Sequence, residues 1–189
     1  MVGKSNSSSG TAAAPARAAK SSVESALAEV DTPEQFRTAV AKLFSVRPNE
    51  VALLRLEKGL LKFIFPDQLK TAGSIPVSSS SSVAAHTAST KKTELFNTFA
   101  KVKHARVFET VRLGTTEETD HSEQTSIQKL MSAPILNPQK KVLGVIQICR
   151  KGFELATSGP DFTLDDLQQL EAAARVAANL PFLQETPSK

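Results

Sequence analysis

The chain has 189 residues, 40% hydrophobic and 22% charged, which suits one domain with a single core. No apolar run approaches the roughly 20 residues of a membrane-spanning helix, and no secretory signal follows Met1, so we expect no membrane association. Most of the net charge of +4 comes from residues 1–20, and without Trp or Tyr for base stacking we expect no nucleic-acid binding. The single cysteine, Cys149, allows no intramolecular disulfide and predicts a cytoplasmic location.

Three segments are predicted along the chain. Residues 1–20 are rich in Ser and Ala and have too little apolar surface to offset their ordering entropy, so we predict a disordered, dispensable tail. An acid-free start of this kind is also typical of a transit peptide, which is the alternative. Residues 21–185 are predicted to form one folded domain, and residues 186–189 form a short C-terminal tail.

Two helices are predicted at the start of the domain. Ser21 and Glu24 have the spacing of a capping box and open a first helix over residues 21–30. Thr32 and Gln35 repeat that spacing and open a second. Apolar residues of the second helix then recur at the spacing of a buried face: Phe36, Ala39, Val40, Leu43 and Phe44.

Short strands are predicted next, at Val51–Leu56, Leu60–Phe65, Gly73–Val77 and Glu94–Asn97. The first two read as a hairpin because Lys58-Gly59 is a good turn signal. The serines of Ser78–Ser82 precede a short helical stretch, and we interpret them as caps rather than nucleophiles. The acidic loop at residues 114–123 is expected to be mobile and close to the rim of any cleft.

A second hairpin forms the centre of the predicted fold. Leu130–Leu136 and Val142–Cys149 are apolar runs joined by a polar turn, and a strand that is apolar on both faces belongs inside a sheet covered on both sides. Strict alternation in the second strand predicts two faces: Leu143, Val145, Gln147 and Cys149 on one, and Gly144, Ile146 and Ile148 on the other.

A final helix follows the central hairpin. Thr163 and Asp166 have capping-box spacing, and Pro181 is predicted to end the helix. One stripe of apolar residues is predicted to face the core: Leu164, Leu167, Leu170, Ala174 and Ala177.

Three stretches, residues 126–136, 142–148 and 162–167, together resemble the GAF domain, a small-molecule sensor module related to PAS domains. The similarity extends over about residues 25–185. It implies an α+β fold, in which a central antiparallel β-sheet carries the N- and C-terminal helices on one face and a ligand-pocket region on the other. It also implies a sensory role.

The same resemblance bears on the ligand. Many cyclic-nucleotide-responsive members carry an Asn-Lys…Phe-x-x-x-Asp-Glu signature. This chain keeps Lys151, Phe162 and Asp166 but has Arg150 and Leu167 where Asn and Glu would stand. The departures argue against cyclic GMP or AMP, no cofactor is predicted, and the ligand stays unidentified. We interpret the kept residues as structural and expect Lys151 to pair with Asp166.

Two polar residues on the central strands are candidate ligand contacts. Gln147 can both donate and accept hydrogen bonds, and Ser132 lies on the neighbouring strand. Buried polar groups need partners, and a ligand is one possible source. A neighbouring strand or a loop backbone is the alternative source.

The sequence favours a non-enzymatic sensory or regulatory protein and predicts no catalytic residue. Members of the family that reduce free methionine sulfoxide use several cysteines, whereas Cys149 alone is interpreted as a small core hydrophobe. His86, His104 and His121 lack metal-ligand spacing, so no metal site is predicted. The alternatives are such a reductase, or a structural interaction module whose pocket has closed.

Because no output domain follows Lys189, a signal is expected to leave in trans, through a partner protein. The family resemblance also implies a homodimer through the terminal helices. Two surfaces are expected to form it, a surplus apolar stripe of Val23, Leu27 and Val30 and a small-residue face of Ala172, Ala173 and Ala178. The alternative is that residues 21–30 fold back on their own domain.

Overall fold

A computed structural model of the protein describes residues 22–99 and 126–184. Its helices are α1 (22–26), α2 (Pro33–Leu43), α3 (Val83–Thr90), α4 (Leu164–Ala177) and α5 (Pro181–Gln184). Its strands are β1 (Val51–Glu57), β2 (Leu60–Phe65), β3 (Ser74–Pro76), β4 (Glu94–Phe96), β5 (Ser126–Leu136) and β6 (Val142–Gly152). The predicted tails at residues 1–20 and 186–189 and the acidic loop at 114–123 lie outside the described residues.

The six strands form one antiparallel sheet in the order β3-β2-β1-β6-β5-β4. The two longest strands, β5 and β6, pair with each other and also with β4 and β1 on their outer sides. The prediction that the central hairpin lies inside the sheet is therefore confirmed. The hairpin of β1 and β2 is confirmed as well, with both turn residues, Lys58 and Gly59, at positive φ (48° and 81°).

One face of the sheet carries the terminal helices, as expected. The capping box of α2 forms as predicted, since Gln35 N donates to Thr32 Oγ1 and Gln35 Oε1 accepts from Thr32 N. The helices bury Phe36, Val40 and Leu170 against the sheet face that displays Ile146 and Ile148. This layer forms the larger part of the core.

The opposite face is covered by α3 and by a 3₁₀ segment at Asp67–Ala72. Ser82 caps α3 by accepting from Ala85 N, which confirms the interpretation of that serine as a cap. Val145 and Cys149 of β6 point to this side, where they pack with apolar residues of α3. The sheet therefore has a helical layer on each face, and the fold is α+β as expected.

The first segment of the domain corrects the dimer argument. α1 covers only residues 22–26, and Val23, Leu27 and Val30 are buried in the core beneath the terminal helices. The small-residue face is buried there too, and its residues are Ala172, Ala173 and Ala178. The prediction that these residues form a surplus stripe for a partner is thus wrong, and the alternative, that this segment folds back on its own domain, is confirmed. The homodimer itself stays a prediction. Neither surface is free for a partner, because burial within the domain already removes its apolar area from water.

The core-facing stripe of α4 and the Gln147 face of β6 each differ from the prediction at one residue. Leu164 is 74% exposed, because it is the first residue of α4 and lies beyond the part of the helix that crosses the sheet. Leu143 packs with the terminal-helix layer rather than beside Gln147. The pairing of β5 with β6 shifts register between Ile135 and Leu136, and this bulge at Leu143 breaks the strict alternation.

The end of α4 also differs from its prediction. The helix ends at Ala177, and Pro181 is instead the first residue of α5.

No helix in the described ranges is long and apolar enough to cross a membrane. The cytoplasmic location and the lack of nucleic-acid binding stay predictions.

Candidate functional site

The two predicted ligand contacts face each other across the central hairpin. Ser132 and Gln147 are register partners on β5 and β6, and Gln147 Nε2 donates to Ser132 Oγ at 3.1 Å. Both side chains are fully buried on the face covered by α3. The structure therefore brings together the only pair of polar residues that the sequence singled out on these strands.

A hydrogen-bonded chain leads from this pair to the surface. Thr87 Oγ1, on α3, lies 2.8 Å from Ser132 Oγ and 2.8 Å from Glu94 Oε2, on β4. Glu94 Oε1 in turn lies 2.9 Å from Nδ1 of the exposed His86. We call these five residues, Gln147, Ser132, Thr87, Glu94 and His86, the polar chain. It connects the centre of the sheet to solvent along one side of α3.

The inner end of the polar chain is incomplete. Gln147 Oε1 is buried and accepts no hydrogen bond from the described residues. Leaving a buried amide oxygen without a donor costs about 1–3 kcal/mol. Its neighbours on the same face of β6, Val145 and Cys149, are apolar and buried, so they offer no strong donor. A donor from outside the described residues would remove this cost.

Cys149 does not suit thiol chemistry in this setting. The side chain is buried, and burial raises the pKa of its thiol to about 12, although the nearby Lys151 acts in the opposite direction. The thiolate is the reactive form of cysteine, so a thiol with this pKa is almost wholly protonated near neutral pH. Its packing beside Leu130 and Ile127 fits the predicted role as a core hydrophobe.

The predicted pairing of Lys151 with Asp166 is wrong. Lys151 Nζ donates to Asn49 O at 3.1 Å, and its backbone N–H donates to Glu50 Oε1 at 2.7 Å. Asp166 is occupied at the start of α4, where its Oδ2 accepts from Thr163 N at 2.7 Å. The capping-box role of Asp166 was predicted correctly, and it leaves this carboxylate directed at its own helix start rather than at β6.

Glu50 is the charged centre of the neighbouring contacts. Its carboxylate accepts from Arg47 N and Nη2 and from Lys151 N, at 2.7 to 2.9 Å. Burial alone would raise the pKa of this carboxyl, but the hydrogen bonds from Arg47 and the Lys151 backbone outweigh burial and lower it. These contacts fix the end of β6 against the segment that follows α2, which is a structural role.

A buried lysine that the sequence did not single out holds the segment before α4. Lys129 on β5 is buried, and its Nζ lies 2.7 Å from Gly159 O and 2.7 Å from Asp161 Oδ1. Asn97 holds the next residue, since its side chain accepts from Phe162 N and donates to Phe162 O, both at 2.9 Å. The kept Phe162 is thus anchored by structural contacts, as interpreted.

The described residues contain no group of three or more His, Cys, Asp and Glu side chains arranged to hold a metal ion. His86 contacts Glu94, as above, whereas His104 and His121 lie outside the described ranges.

Comparison with known proteins fixes the family. A family model for the GAF domain matches residues 31–180, which is most of the chain. The chain belongs to the GAF domain family. A search of curated proteins gives no match.

Solved structures share this fold at low sequence identity. The GAF domain from Acinetobacter phosphoenolpyruvate-protein phosphotransferase is 10% identical with a TM-score of 0.61, over 86% of this chain and 90% of that one. The A. aeolicus nlh2 GAF domain in an inactive state is 15% identical with a TM-score of 0.56, over 90% and 97%. The fRMsr of Staphylococcus aureus in complex with substrate is 17% identical with a TM-score of 0.50, over 87% and 94%. At these identities the likeness extends to the fold alone.

Sequence reasoning found the two inner residues of the polar chain and missed Thr87 and Glu94. The signal for Thr87 was present, because Ala84, Thr87 and Ala88 have the spacing of one helical face and all three are buried. A hydroxyl on an otherwise apolar stripe needs a hydrogen-bond partner. Nothing in the local pattern identified Glu94, whose partners lie on another element.

Proposed function

We propose that this GAF protein is a non-enzymatic sensory or regulatory module that binds a small ligand at the inner end of the polar chain and passes the signal to a partner protein. The observation that carries the proposal is the buried Gln147 Oε1, which lacks a donor among the described residues. A ligand that presents an N–H or O–H group would complete the hydrogen bonds of the chain.

The polar chain offers a physical route from this site to the surface. A ligand that bonds to Gln147 changes the hydrogen bonds available to Ser132, and through Thr87 to Glu94. Because α3 supplies Thr87 and β4 supplies Glu94, the ligand would act on the relative position of these two elements. A partner protein that contacts them would then sense the occupied site.

The reductase alternative lacks a supporting observation in the described residues. The only thiol of the chain is buried with a raised pKa, and nucleophilic attack on a sulfoxide needs an accessible thiol together with a resolving partner. We therefore propose that the protein is not an enzyme of this type.

The test is native mass spectrometry of the full chain purified from its expressing cell without denaturation. We expect the wild type to carry an added small-molecule mass and Gln147→Leu to lose it. The matched control is Gln128→Leu, because Gln128 is also buried but its Nε2 already donates to Gly152 O at 3.0 Å.

Two outcomes would contradict the proposal. One is a wild-type mass equal to that of the bare chain, together with a Gln147→Leu variant of unchanged stability, which would favour the structural interaction module. The other is an added mass that Gln147→Leu retains in full, which would place the ligand elsewhere. Unfolding in urea, measured on all three proteins, shows whether each variant is folded.

A further inference from the structure

A second feature is a cleft of about 480 Å³ at the far end of the central hairpin, and Gln147 is not among the residues that line it. It lies between the turn that joins β5 to β6, the second half of α4, and the residues that follow α3. β4 pairs only with residues 130–132 of β5, so the outer edge of β5 beyond Ser132 has no strand beside it in the described part of the chain. The cleft runs along this open edge.

Three cationic side chains from three separate elements line the cleft: Lys91, Lys140 and Arg175. Lys91 follows α3, Lys140 lies in the hairpin turn, and Arg175 lies in the last turn of α4. Lys91 Nζ donates to Lys140 O at 3.0 Å, which holds the ammonium group at the cleft. Among the described residues, Glu171 is the one acidic residue of the lining, so positive charge prevails there.

Six of the fifteen lysines and arginines in the described ranges lie within ion-pair distance of an acid: Arg37, Arg47, Arg55, Lys62, Lys70 and Lys129. None of the three cleft cations has such an ion pair among the described residues, and all three are exposed. Unpaired cations that converge on a concave surface attract anions and lower the electrostatic energy of a bound one.

The lining of the cleft also includes four apolar residues: Pro134, Leu136, Ala174 and Ala178. Pro134 has no backbone N–H, which disfavours pairing of another strand at this edge. The volume lies in the range of about 300–1,000 Å³ typical of small-molecule sites. We propose that the cleft binds a small organic anion, with its phosphate, carboxylate or sulfonate group at the three cations and its apolar body against the apolar residues of the lining.

The experiment titrates the full chain with 8-anilinonaphthalene-1-sulfonate, an aromatic sulfonate with this chemistry, and follows its fluorescence at low ionic strength. We expect one saturable site. Lys140→Glu and Arg175→Glu are each expected to weaken binding about tenfold, since each reverses a charge close to the bound sulfonate. The matched control is Lys42→Glu, an exposed lysine outside the cleft with the same change in net charge, and it is expected to alter the affinity less than about twofold.

Amide chemical shifts recorded during the same titration locate the dye. We expect the largest changes at Thr93 and Asn179, which line the cleft, and small changes at Gln147. Affinities of Lys140→Glu and Arg175→Glu within twofold of the wild type would overturn the proposal, as would an equal loss in Lys42→Glu. Shift changes centred on Gln147 would also overturn it, because they would assign the dye to the ligand site proposed above.

Discussion

The guanidinium carbon of Arg150 lies 4.8 Å from the ring centroid of Phe162, so a cation–π contact joins the end of β6 to the residue just before the N-cap of α4. The same guanidinium donates to the carbonyl oxygens of Phe44 and Ser45, both at 3.3 Å, just after α2. One side chain thus connects three segments of the fold. It stands where the cyclic-nucleotide-responsive members that this stretch resembles have asparagine, and its contacts here are structural.

We therefore expect Arg150→Asn to destabilise the domain by about 2 kcal/mol, because it removes the cation–π contact and two hydrogen bonds to backbone oxygens. Arg150→Lys keeps the positive charge but not the planar guanidinium group, so it should destabilise the domain less than Arg150→Asn does. The measurement is urea unfolding of both variants and the wild type. An unchanged unfolding midpoint in Arg150→Asn, or acquired binding of cyclic GMP, would contradict the structural role.

Substitutions at Leu27 and Leu164 compare a leucine that is buried in the domain with one that is exposed. Leu27 is 2% exposed and Leu164 is 74% exposed, so the same substitution has different surroundings. Leu27→Glu should lower the free energy of unfolding by about 4 kcal/mol or more, through lost packing and a buried charge. Leu164→Glu should change it by less than about 0.5 kcal/mol. Comparable losses in the two variants would show that the segment of residues 22–30 does not pack in the core as described.

Gly144 allows β1 to approach β6 closely. A Cβ at this position would collide with the backbone carbonyl oxygen of Leu54 on the neighbouring strand. We expect Gly144→Ala to cost about 2–3 kcal/mol, because backbone atoms in the middle of a sheet can shift little. Gly59→Ala is the control, since a Cβ there meets no atom within 4 Å and the cost comes from its positive φ alone, about 1 kcal/mol. A smaller loss in Gly144→Ala than in Gly59→Ala would refute the steric argument.

The lowered pKa of Glu50 makes stability depend on pH in the acidic range. Its contribution is complete above the ordinary carboxyl pKa of about 4.3 and is lost as the pH falls through the lower pKa of the folded state. Glu50→Gln should therefore be less stable than the wild type by about 2 kcal/mol at pH 7, and the difference should shrink as the pH falls below about 4. Urea unfolding at a series of pH values measures this.

The control for that series is Glu29→Gln, an exposed glutamate that should show little difference from the wild type at any pH. The opposite result is that the free energies of unfolding of Glu50→Gln and the wild type differ by the same amount at pH 7 and pH 3. That result would mean that the stabilising effect of Glu50 does not depend on its charge.

Cys149 is expected to be inert while the domain is folded. Its buried thiol, with a pKa raised to about 12, should react with a thiol reagent only on unfolding. Cys149→Ala should lower the free energy of unfolding by about 1 kcal/mol through lost packing. Turnover of free methionine sulfoxide by the wild type, abolished in Cys149→Ala, would contradict both this prediction and the proposed non-enzymatic role.

Local and short-range patterns determined most of the architecture. The capping residues Thr32 and Thr163, the Lys58-Gly59 turn and the apolar run of β6 were sufficient to place two helices and two hairpins. These signals act over a few residues, through hydrogen bonds and turn geometry that neighbouring side chains specify directly. The interior position of β5 and β6 followed from them, whereas the fold class and the family came from the resemblance of residues 126–136, 142–148 and 162–167 to the GAF domain.

The tertiary structure alone decided which partners distant residues have. An apolar stripe such as Val23, Leu27 and Val30 has the same sequence signature whether its own domain or a second molecule covers it, and only the packed core shows the former. Likewise Lys151 has its contacts at Asn49 and Glu50, about a hundred residues away, and the register shift at Leu143 depends on β5. The sequence identified Gln147 as polar on an apolar strand. That its oxygen lacks a donor depends on the positions of every element around it, because burial and hydrogen bonding are properties of the packed chain and not of a local pattern.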